Sequence, residues 1–434
     1  MKALRLLSIV LILSLAVGCA AQPVQNTAPA AGERAAAPEV AAAQEGVSLI
    51  VAGWASSDAE DAALNAQLAE FTAKTGIKAE FVPSPDYNVT MQTAFASGKY
   101  ANVFYIDSSA LPDWVEAGVV DMGEGKIENP EGFYASLLDV FTYDGSLYCA
   151  PKDFATMGLE YNRDLFDAAG LEYPNSDWTW EDLRAAAEAL TDKEAGVIGL
   201  VTPTDIERWM PFMYQAGGAI FDAQGDFIFD SPETLKALEF YVGLVQDGLA
   251  GPPSVVDAGW GGEAFGQGRA AMAMEGGWVI KYLLDQFPDL NWGVAELPTG
   301  DAGKATMAFT VCFGVAANNE YPEESWQLVN FLTGEEQQMK LGENGFGSMP
   351  ARIAAADAYR TAWQKQAEGT GFDAAGIDAF VAGASYGHKW QLPVGWQAFV
   401  ETFKSNMQLA FDGQLTAKDV LTEAARVGQE LQSK

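Results

Sequence analysis

Three short apolar runs near the start of the folded chain have the length of buried strands: VSLIVAGW (47–54), IKAEFV (77–82) and NVFYI (102–106). Between the first two runs, apolar residues at helical spacing predict a helix that starts at Ser56 or Ser57 and ends at Gly76. A second helix is predicted from about Asp86 to Gly98. The order strand, helix, strand, helix, strand favours a parallel sheet with right-handed crossovers.

A second α/β series follows later in the chain. TMGLEYNR (156–163) reads as a strand, Thr179 to Asp182 forms a capping box, and Ser231-Pro232 opens another helix. The stretch from about 351 to the end is predicted to be mostly helical. Nearly 390 residues follow the N-terminal region, which is too long for one core. We therefore predict an α/β protein with two lobes.

Ligands of doubly wound sheets bind beyond the carboxyl ends of the strands. The residues that follow the first three strands are therefore candidates: Trp54 and Ser56, Asp86 and Tyr87, Asp107 and Ser108. In RAAMAMEGGWVI, Glu275 stands at the end of a buried strand, Gly276 and Gly277 allow close approach of backbone to a ligand, and Trp278 begins a helix. The alternative is a tight glycine turn with Trp278 in the core.

The first residues have the pattern of a secretory signal. Lys2 and Arg5 precede an apolar run, and small residues lead to Gly18-Cys19, which resembles the end of a lipoprotein signal. We expect residues 1–18 to be a signal peptide, Cys19 to carry a diacylglycerol anchor, and residues 19–46 to be a flexible tether. A plain signal peptide with a chance cysteine is the alternative. No later run is apolar enough to span a membrane.

The formal net charge is −34, from 25 basic and 59 acidic residues. Such a charge disfavours nucleic acid, anionic lipid and strongly anionic ligands as partners. His388 is the only histidine, so histidine triads and histidine-rich metal sites are excluded, and no cofactor motif is present. An acidic pair such as Asp86 and Asp107 leaves open a glycosidase that uses two carboxylates.

Three segments carry a family resemblance. They are FGQGRAAMAMEGGWVI (265–280), APKDFATMGLEYNRDLFDAAGL (150–171) and WQLVNFLTGEEQQMKLGENGFGSMPAR (326–352). Together, and in this order, they resemble the extracellular solute-binding proteins of ABC importers, the family that includes maltose-binding protein. The resemblance implies a two-lobe, type II periplasmic-binding-protein-like fold hinged by crossover strands, with residues 47–153 and 309–350 in one lobe and 154–308 and 351–434 in the other.

The resemblance also implies function. Such a protein is not an enzyme and has no cofactor. It is expected to be a monomer that is lipid-anchored to the outer face of the cell membrane, closes its lobes on a carbohydrate and docks on a membrane permease. Other solutes, such as a polyol, a polyamine or a peptide, remain alternatives, and an acidic cleft would suit a cation. A secreted carboxylate-dependent enzyme is a third hypothesis.

A sugar has apolar faces and a hydroxyl rim, so its site needs aromatic platforms and polar side chains. The aromatic candidates are Trp54, Tyr87, Phe154, Trp209, Trp278, Trp390 and Trp396. The polar candidates for holding hydroxyl groups are Asp86, Asp107, Asp153, Glu275 and Arg352. For any single tryptophan, packing in the core is the alternative.

Two cysteines follow Cys19 in a chain predicted to be exported. The resemblance places Cys149 and Cys312 on strands that run side by side near the hinge, where a disulfide is possible. The alternative is two buried thiols, because a shift of one residue in register would turn either side chain to the other face.

Overall fold

The computed structural model describes residues 46–55, 58–84, 87–343 and 347–433. The predicted signal peptide, Cys19 and the tether up to residue 45 lie outside the described residues, as do Ser56 and Asp86. The described part contains thirteen strands: β1 (Ser48–Trp54), β2 (Lys78–Ser84), β3 (Val103–Asp107), β4 (Thr142–Tyr143), β5 (Ser146–Leu147), β6 (Ala150–Asn162), β7 (Ile198–Val201), β8 (Ala250–Gly251), β9 (Ala270–Gly276), β10 (Trp292–Ala295), β11 (Thr306–Val315), β12 (Met349–Pro350) and β13 (Gly387–Lys389).

Sixteen α-helices lie in the same described ranges: α1 (Asp58–Thr75), α2 (Tyr87–Ser97), α3 (Leu111–Glu116), α4 (Ala135–Val140), α5 (Arg163–Ala169), α6 (Trp180–Leu190), α7 (Ile206–Ala216), α8 (Pro232–Gln246), α9 (Gly261–Gly266), α10 (Trp278–Gln286), α11 (Pro322–Leu332), α12 (Glu335–Met339), α13 (Ala356–Gln366), α14 (Ile377–Gly383), α15 (Gln397–Phe411) and α16 (Ala417–Gln432). None of the helices described is long and apolar enough to cross a membrane.

The predicted α/β class is confirmed by the sheet order. Eleven strands form one sheet whose main path runs β2-β1-β3-β11-β6-β9-β7-β8. The strands β2, β1 and β3 are parallel, as the first three apolar runs predict, and β7, β8 and β9 are parallel at the other end. The strands β11 and β6 are antiparallel to each other and to their outer neighbours β3 and β9.

The strand β6 joins the two ends of the sheet. Its first part pairs with β11, from Ala150 opposite Phe313 to Thr156 opposite Ala308. Its second part, residues 157–162, pairs with β9 and β10 instead. All thirteen residues of β6 are buried, which explains why its sequence lacks simple alternation.

Two hydrophobic clusters lie on either side of this crossover. One includes Leu49, Phe71 and Phe104, and the other includes Trp209 and Phe403. The described residues nevertheless form one compact unit. The predicted lobe boundaries at residues 153, 308 and 350 therefore stay a prediction.

Local signals at the ends of helices are confirmed. Thr179 accepts a hydrogen bond from the backbone of Asp182, whose carboxylate accepts from the Thr179 N–H, which completes the predicted capping box. Ser231 caps α8, with Pro232 at its first position. Gly76 follows α1 with a φ of 79°, a conformation that favours glycine.

The two cysteines predicted on crossover strands are adjacent. Cys149 directly precedes β6, Cys312 lies in β11, and the structure joins them by a disulfide with a Cα–Cα distance of 5.7 Å. Both side chains are fully buried in the first hydrophobic cluster.

Candidate ligand-binding cleft

A cavity of about 600 Å³ opens beside the middle of the sheet. Its size is typical of small-molecule sites. Side chains from β1, β3, β6 and β11 meet residues of α7 and α10, and Trp260, which directly precedes α9, around it. The lining residues are Trp54, Glu60, Asp107, Lys152, Asp153, Ala155, Arg208, Trp260, Trp278, Lys281, Tyr282, Asp285, Gln286, Phe309, Val311 and Ser348.

A β-bulge shapes the floor of the cavity. Val311 of β11 lies opposite Asp153, but the next residue, Cys312, lies opposite Pro151, so Lys152 is an extra residue on β6. In a regular strand, successive side chains point to opposite faces. The bulge breaks this alternation, and Lys152 and Asp153 both line the cavity. They form an ion pair there.

The two carboxylates of the floor differ in exposure: Asp153 is buried, whereas Asp107 is partly exposed. Asp107 accepts hydrogen bonds from the backbone N–H and the hydroxyl of Ser109. Burial raises the pKa of Asp107, and the bonds from Ser109 oppose that shift. Burial also raises the pKa of Asp153, although Lys152 opposes it. Both groups can accept hydrogen bonds from a ligand hydroxyl.

A charged network supports the opposite wall. The carboxylate of Glu275 accepts hydrogen bonds from Arg208 Nη2 at 2.8 Å and from Trp278 Nε1 at 3.0 Å. The Glu275 backbone N–H donates to Glu160 Oε2 at 2.8 Å. Burial, reinforced by the charge of Glu275, holds the pKa of Glu160 well above its usual range. The two carboxyl groups thus have different surroundings, because the carboxylate of Glu275 pairs with Arg208 whereas Glu160 accepts its hydrogen bond from the Glu275 backbone.

Aromatic rings form the walls of the cavity. Trp54 packs edge-on against Tyr105 and Tyr87, with ring centroids 5.2 and 5.6 Å apart. Trp278 packs edge-on against Phe309 at 5.6 Å. On the α9 side, Trp260 packs against Tyr282 at 4.9 Å.

Comparison with known proteins identifies the family. Residues 54–339 match the model of the bacterial extracellular solute-binding protein family. The match covers more than half of the chain and includes most of the cavity. The chain belongs to this family.

Relatives of this solute-binding protein agree with the assignment. A binding protein of Brucella abortus (strain 2308) is 25% identical over 399 residues, which cover 85% of this chain and 93% of the relative. An arabinooligosaccharide-binding protein of Bacillus subtilis (strain 168) is 24% identical over 238 residues, 51% of this chain and 52% of the relative.

Solved structures share the fold of this solute-binding protein. An ABC substrate-binding protein of Listeria monocytogenes, in complex with cycloalternan, has a TM-score of 0.78 at 24% identity and covers 89% of this chain and 99% of its own. A solute-binding protein of Thermotoga lettingae, bound with α-D-tagatose, has a TM-score of 0.74 at 26% identity, covering 88% and 99%. The type II fold is thereby supported over nearly the whole described part.

Four of the residues that the sequence predicted for the site line the cavity of the solute-binding protein: Trp54, Asp107, Asp153 and Trp278. Two others support these from behind. Tyr87 is buried, packs on Trp54 and donates its hydroxyl hydrogen bond to the Tyr105 carbonyl at 2.7 Å. Glu275 is buried and holds Trp278 and Arg208.

The predicted role of Gly277 is corrected. A Cβ at Gly277 would lie 2.4 Å from the carbonyl oxygen of Gly347. The missing side chain of Gly277 therefore makes room for another backbone segment, and Gly277 is not among the residues that line the cavity.

Three predicted cleft tryptophans belong to the second hydrophobic cluster, so their interpretation is corrected. Trp209 is fully buried and packs against Phe403 at 4.8 Å. Trp396 packs against Phe221 at 4.9 Å. Trp390 is buried too, and its backbone carbonyl accepts a hydrogen bond from Ser108 Oγ at 2.9 Å. These three tryptophans therefore pack in the core, which was the alternative that the sequence left open.

Phe154 and Arg352 also lie outside the cleft. Phe154 follows Asp153 in β6 and points to the opposite face of the sheet, where it lines a separate cavity of about 230 Å³. Arg352 is almost fully buried, donates hydrogen bonds to the backbone carbonyls of Thr333, Glu128 and Asn129, and stacks 3.6 Å over Phe133. It ties loops together and does not reach the cavity.

Several lining residues escaped the sequence reasoning, which followed strand ends. Arg208 lies in the first turn of α7, Trp260 directly precedes α9, and Tyr282 and Lys281 lie on α10. The glycine-rich segment GWGGEAFGQG was a signal for Trp260, because glycines allow other groups to approach the backbone closely.

Proposed function

We propose that this protein is the substrate-binding component of an ABC importer and binds a carbohydrate in the cleft described above. The observation that carries the proposal is the joint presence of three tryptophans, Trp54, Trp260 and Trp278, and the carboxylates Asp107 and Asp153 around one cavity of about 600 Å³. Aromatic faces suit the C–H faces of a sugar ring, and carboxyl oxygens accept hydrogen bonds from its hydroxyls. A relative named as an arabinooligosaccharide-binding protein and similar structures bound to cycloalternan and tagatose support this ligand class.

The charges of the lining favour an uncharged ligand over an anion. Three basic side chains line the cavity, and each is paired with a carboxylate: Lys152 with Asp153, Arg208 with Glu275, and Lys281 with Asp285. A ligand carboxylate or phosphate would therefore have to compete with an existing partner. The net charge of −34 further disfavours the binding of an anion.

A thermal-shift screen tests the proposal. The panel contains maltotriose, mannotriose and arabinotriose, with spermidine and a tripeptide as the competing ligand classes. A ligand at 100 times its Kd stabilises by about 2.7 kcal/mol. With an unfolding entropy of about 2.1 cal/mol/K per residue, that corresponds to a shift in Tm of about 3 °C for this chain.

The Trp278→Ala variant is the control of the screen. A sugar that shifts the Tm of the parent but not of Trp278→Ala supports the cleft as the site. If only spermidine or the tripeptide raises the Tm, the ligand is another solute and not a sugar. Release of reducing sugar from any member of the panel would support the enzyme alternative instead.

Lobe closure and anchoring belong to the same proposal. We propose that residues 47–153 and 309–350 move against 154–308 and 351–434, with β6 and β11 as hinge strands, and that the closed form delivers the sugar to the permease. A fall in the radius of gyration on adding the sugar, measured by small-angle X-ray scattering on the monomer, would support this motion. For the anchor, Cys19→Ala should release the protein from membranes; retention of the processed variant there would exclude lipidation at Cys19.

A further inference from the structure

Two tryptophans of the cleft pack against glycines two residues away in the chain. An ideal Cβ on Gly276 would be 2.4 Å from Cζ3 and 2.6 Å from Cη2 of Trp278. An ideal Cβ on Gly262 would be 2.2 Å from Cη2 and 2.4 Å from Cζ3 of Trp260. In both pairs, the six-membered part of the indole occupies the space of the missing side chain.

Backbone conformation does not explain these two glycines. Gly262 lies in the first turn of α9 and Gly276 ends β9, and the φ angle of neither is in the left-handed region. An alanine would therefore be accepted by the backbone at both positions. What excludes a methyl group is the tryptophan ring, because real Cβ atoms essentially never approach heavy atoms within 3.0 Å.

The ring of Trp278 has little freedom to move away from a methyl group. Its Nε1–H donates to Glu275 Oε2 at 3.0 Å. Phe309 packs edge-on at 5.6 Å, and the guanidinium of Arg208 lies 5.4 Å from the ring centroid. These neighbours and Gly276 together restrict the orientation of the ring.

The ring of Trp260 is held in a similar way. Tyr282 contacts it at 4.9 Å and is itself packed edge-on against Phe287 at 5.8 Å. Each of the two tryptophans thus contacts a glycine and at least one packed aromatic ring. Both tryptophans line the same cavity.

We propose that Gly262 and Gly276 are positioning residues of the ligand site, which set the planes of Trp260 and Trp278. This inference rests on the proposed function, because it gives the two rings the task of stacking on a sugar. Turning either ring changes which face of the sugar it can cover. A side chain at either glycine would therefore alter affinity and selectivity although it never touches the ligand.

A double-mutant cycle tests the contact itself. Gly276→Ala is expected to lower the Tm of the parent but to leave the Tm of Trp278→Ala unchanged, because the obstructing ring is gone. Gly262→Ala should behave in the same way with Trp260→Ala. Gly243→Ala is the matched control: Gly243 lies within α8 with no atom within 4 Å of its missing Cβ, and alanine favours helix. Its Tm should stay equal or rise.

The NMR signals of the indole N–H groups and the affinity for sugar test whether the glycines set the orientation of the rings. The Trp260 and Trp278 signals are assigned from their absence in the two alanine variants. Gly276→Ala is expected to shift the Trp278 signal and to weaken maltotriose binding about tenfold, the size of a lost ring contact. Gly243→Ala should change neither.

The results decide whether Gly262 and Gly276 position the tryptophan rings or only serve the backbone. Equal Tm losses from Gly276→Ala with and without Trp278 would overturn the proposal, since the glycine would then serve the backbone. Unchanged indole signals with unchanged maltotriose affinity would overturn it as well. If the parent binds no member of the sugar panel, the proposed function fails, whereas the cycle and the indole signals still decide whether the glycines set the rings.

Discussion

Two substitutions of Glu275 should separate the contribution of its charge from that of its hydrogen bonds. Glu275 is 3% exposed and accepts hydrogen bonds from Arg208 and Trp278, while the Arg208 side chain is 19% exposed. Glu275→Ala deletes both bonds and leaves Arg208 without its carboxylate. Breaking a fully buried pair costs about 3–5 kcal/mol. Because water reaches Arg208, we expect a cost of about 3 kcal/mol, at the lower end of that range.

Glu275→Gln should cost less. The amide oxygen can still accept hydrogen bonds from Arg208 and Trp278, so mainly the charge is lost, at about 1–2 kcal/mol. With an unfolding entropy of about 2.1 cal/mol/K per residue over roughly 390 folded residues, the expected falls in Tm are about 4 °C for alanine and about 2 °C for glutamine.

Differential scanning calorimetry at pH 7 measures both values, and the indole N–H signal of Trp278 reports the hydrogen bond separately. The signal should move in Glu275→Ala and stay near its place in Glu275→Gln. Equal losses of stability in the two variants would refute the reasoning, because the hydrogen bonds would then contribute nothing beyond the charge.

Three further predictions concern tryptophans, a buried acid and the cysteines. Trp209→Ala should cost about 3–5 kcal/mol of unfolding free energy and leave the affinity of the folded protein for sugar unchanged. Trp278→Ala should weaken sugar binding at least fivefold with a smaller loss of stability. Calorimetry and sugar titration of each variant check this, and the reverse pattern would contradict it. Burial holds the pKa of folded Glu160 well above its ordinary value of 4.5, so the folded state binds the proton more tightly; its contribution to stability is full below pH 4.5 and is lost as the pH rises through the folded pKa. Glu160→Gln should therefore flatten the fall of Tm above pH 4.5, and an unchanged slope would exclude Glu160 as its source. The denatured, unreduced mature protein should contain no titratable thiol from Cys149 or Cys312, whereas two thiols would exclude the bridge.

The rule of strand ends predicted a useful part of the site. Trp54 and Asp107 end β1 and β3, and both line the cavity, because the carboxyl ends of parallel strands meet at one edge of the sheet. Trp278 follows β9 in the same way. To apply this rule, one needs only to know where each strand ends, and the hydrophobic pattern of the sequence indicates that.

Other positions depend on features that patterning does not contain. The bulge at Lys152 turns two successive side chains into the cavity, and it arises from pairing with a strand about 160 residues later. Arg208 and Trp209 are neighbours in α7, yet one faces the cleft and the other the core. Choosing between them requires the rotation of the helix, which the packing of α7 against α8 and β11 determines.

The position of β11 in the sheet has a consequence for synthesis and export. The edge of β3 that pairs with β11 receives its partner, Val311–Val315, about 200 residues after β3 itself is made. Until then a nascent chain presents unpaired strand groups beside the apolar residues of the first cluster. Truncated products ending before residue 311 should therefore aggregate or be degraded, and the sheet can be completed only after residues 311–315 have been synthesised.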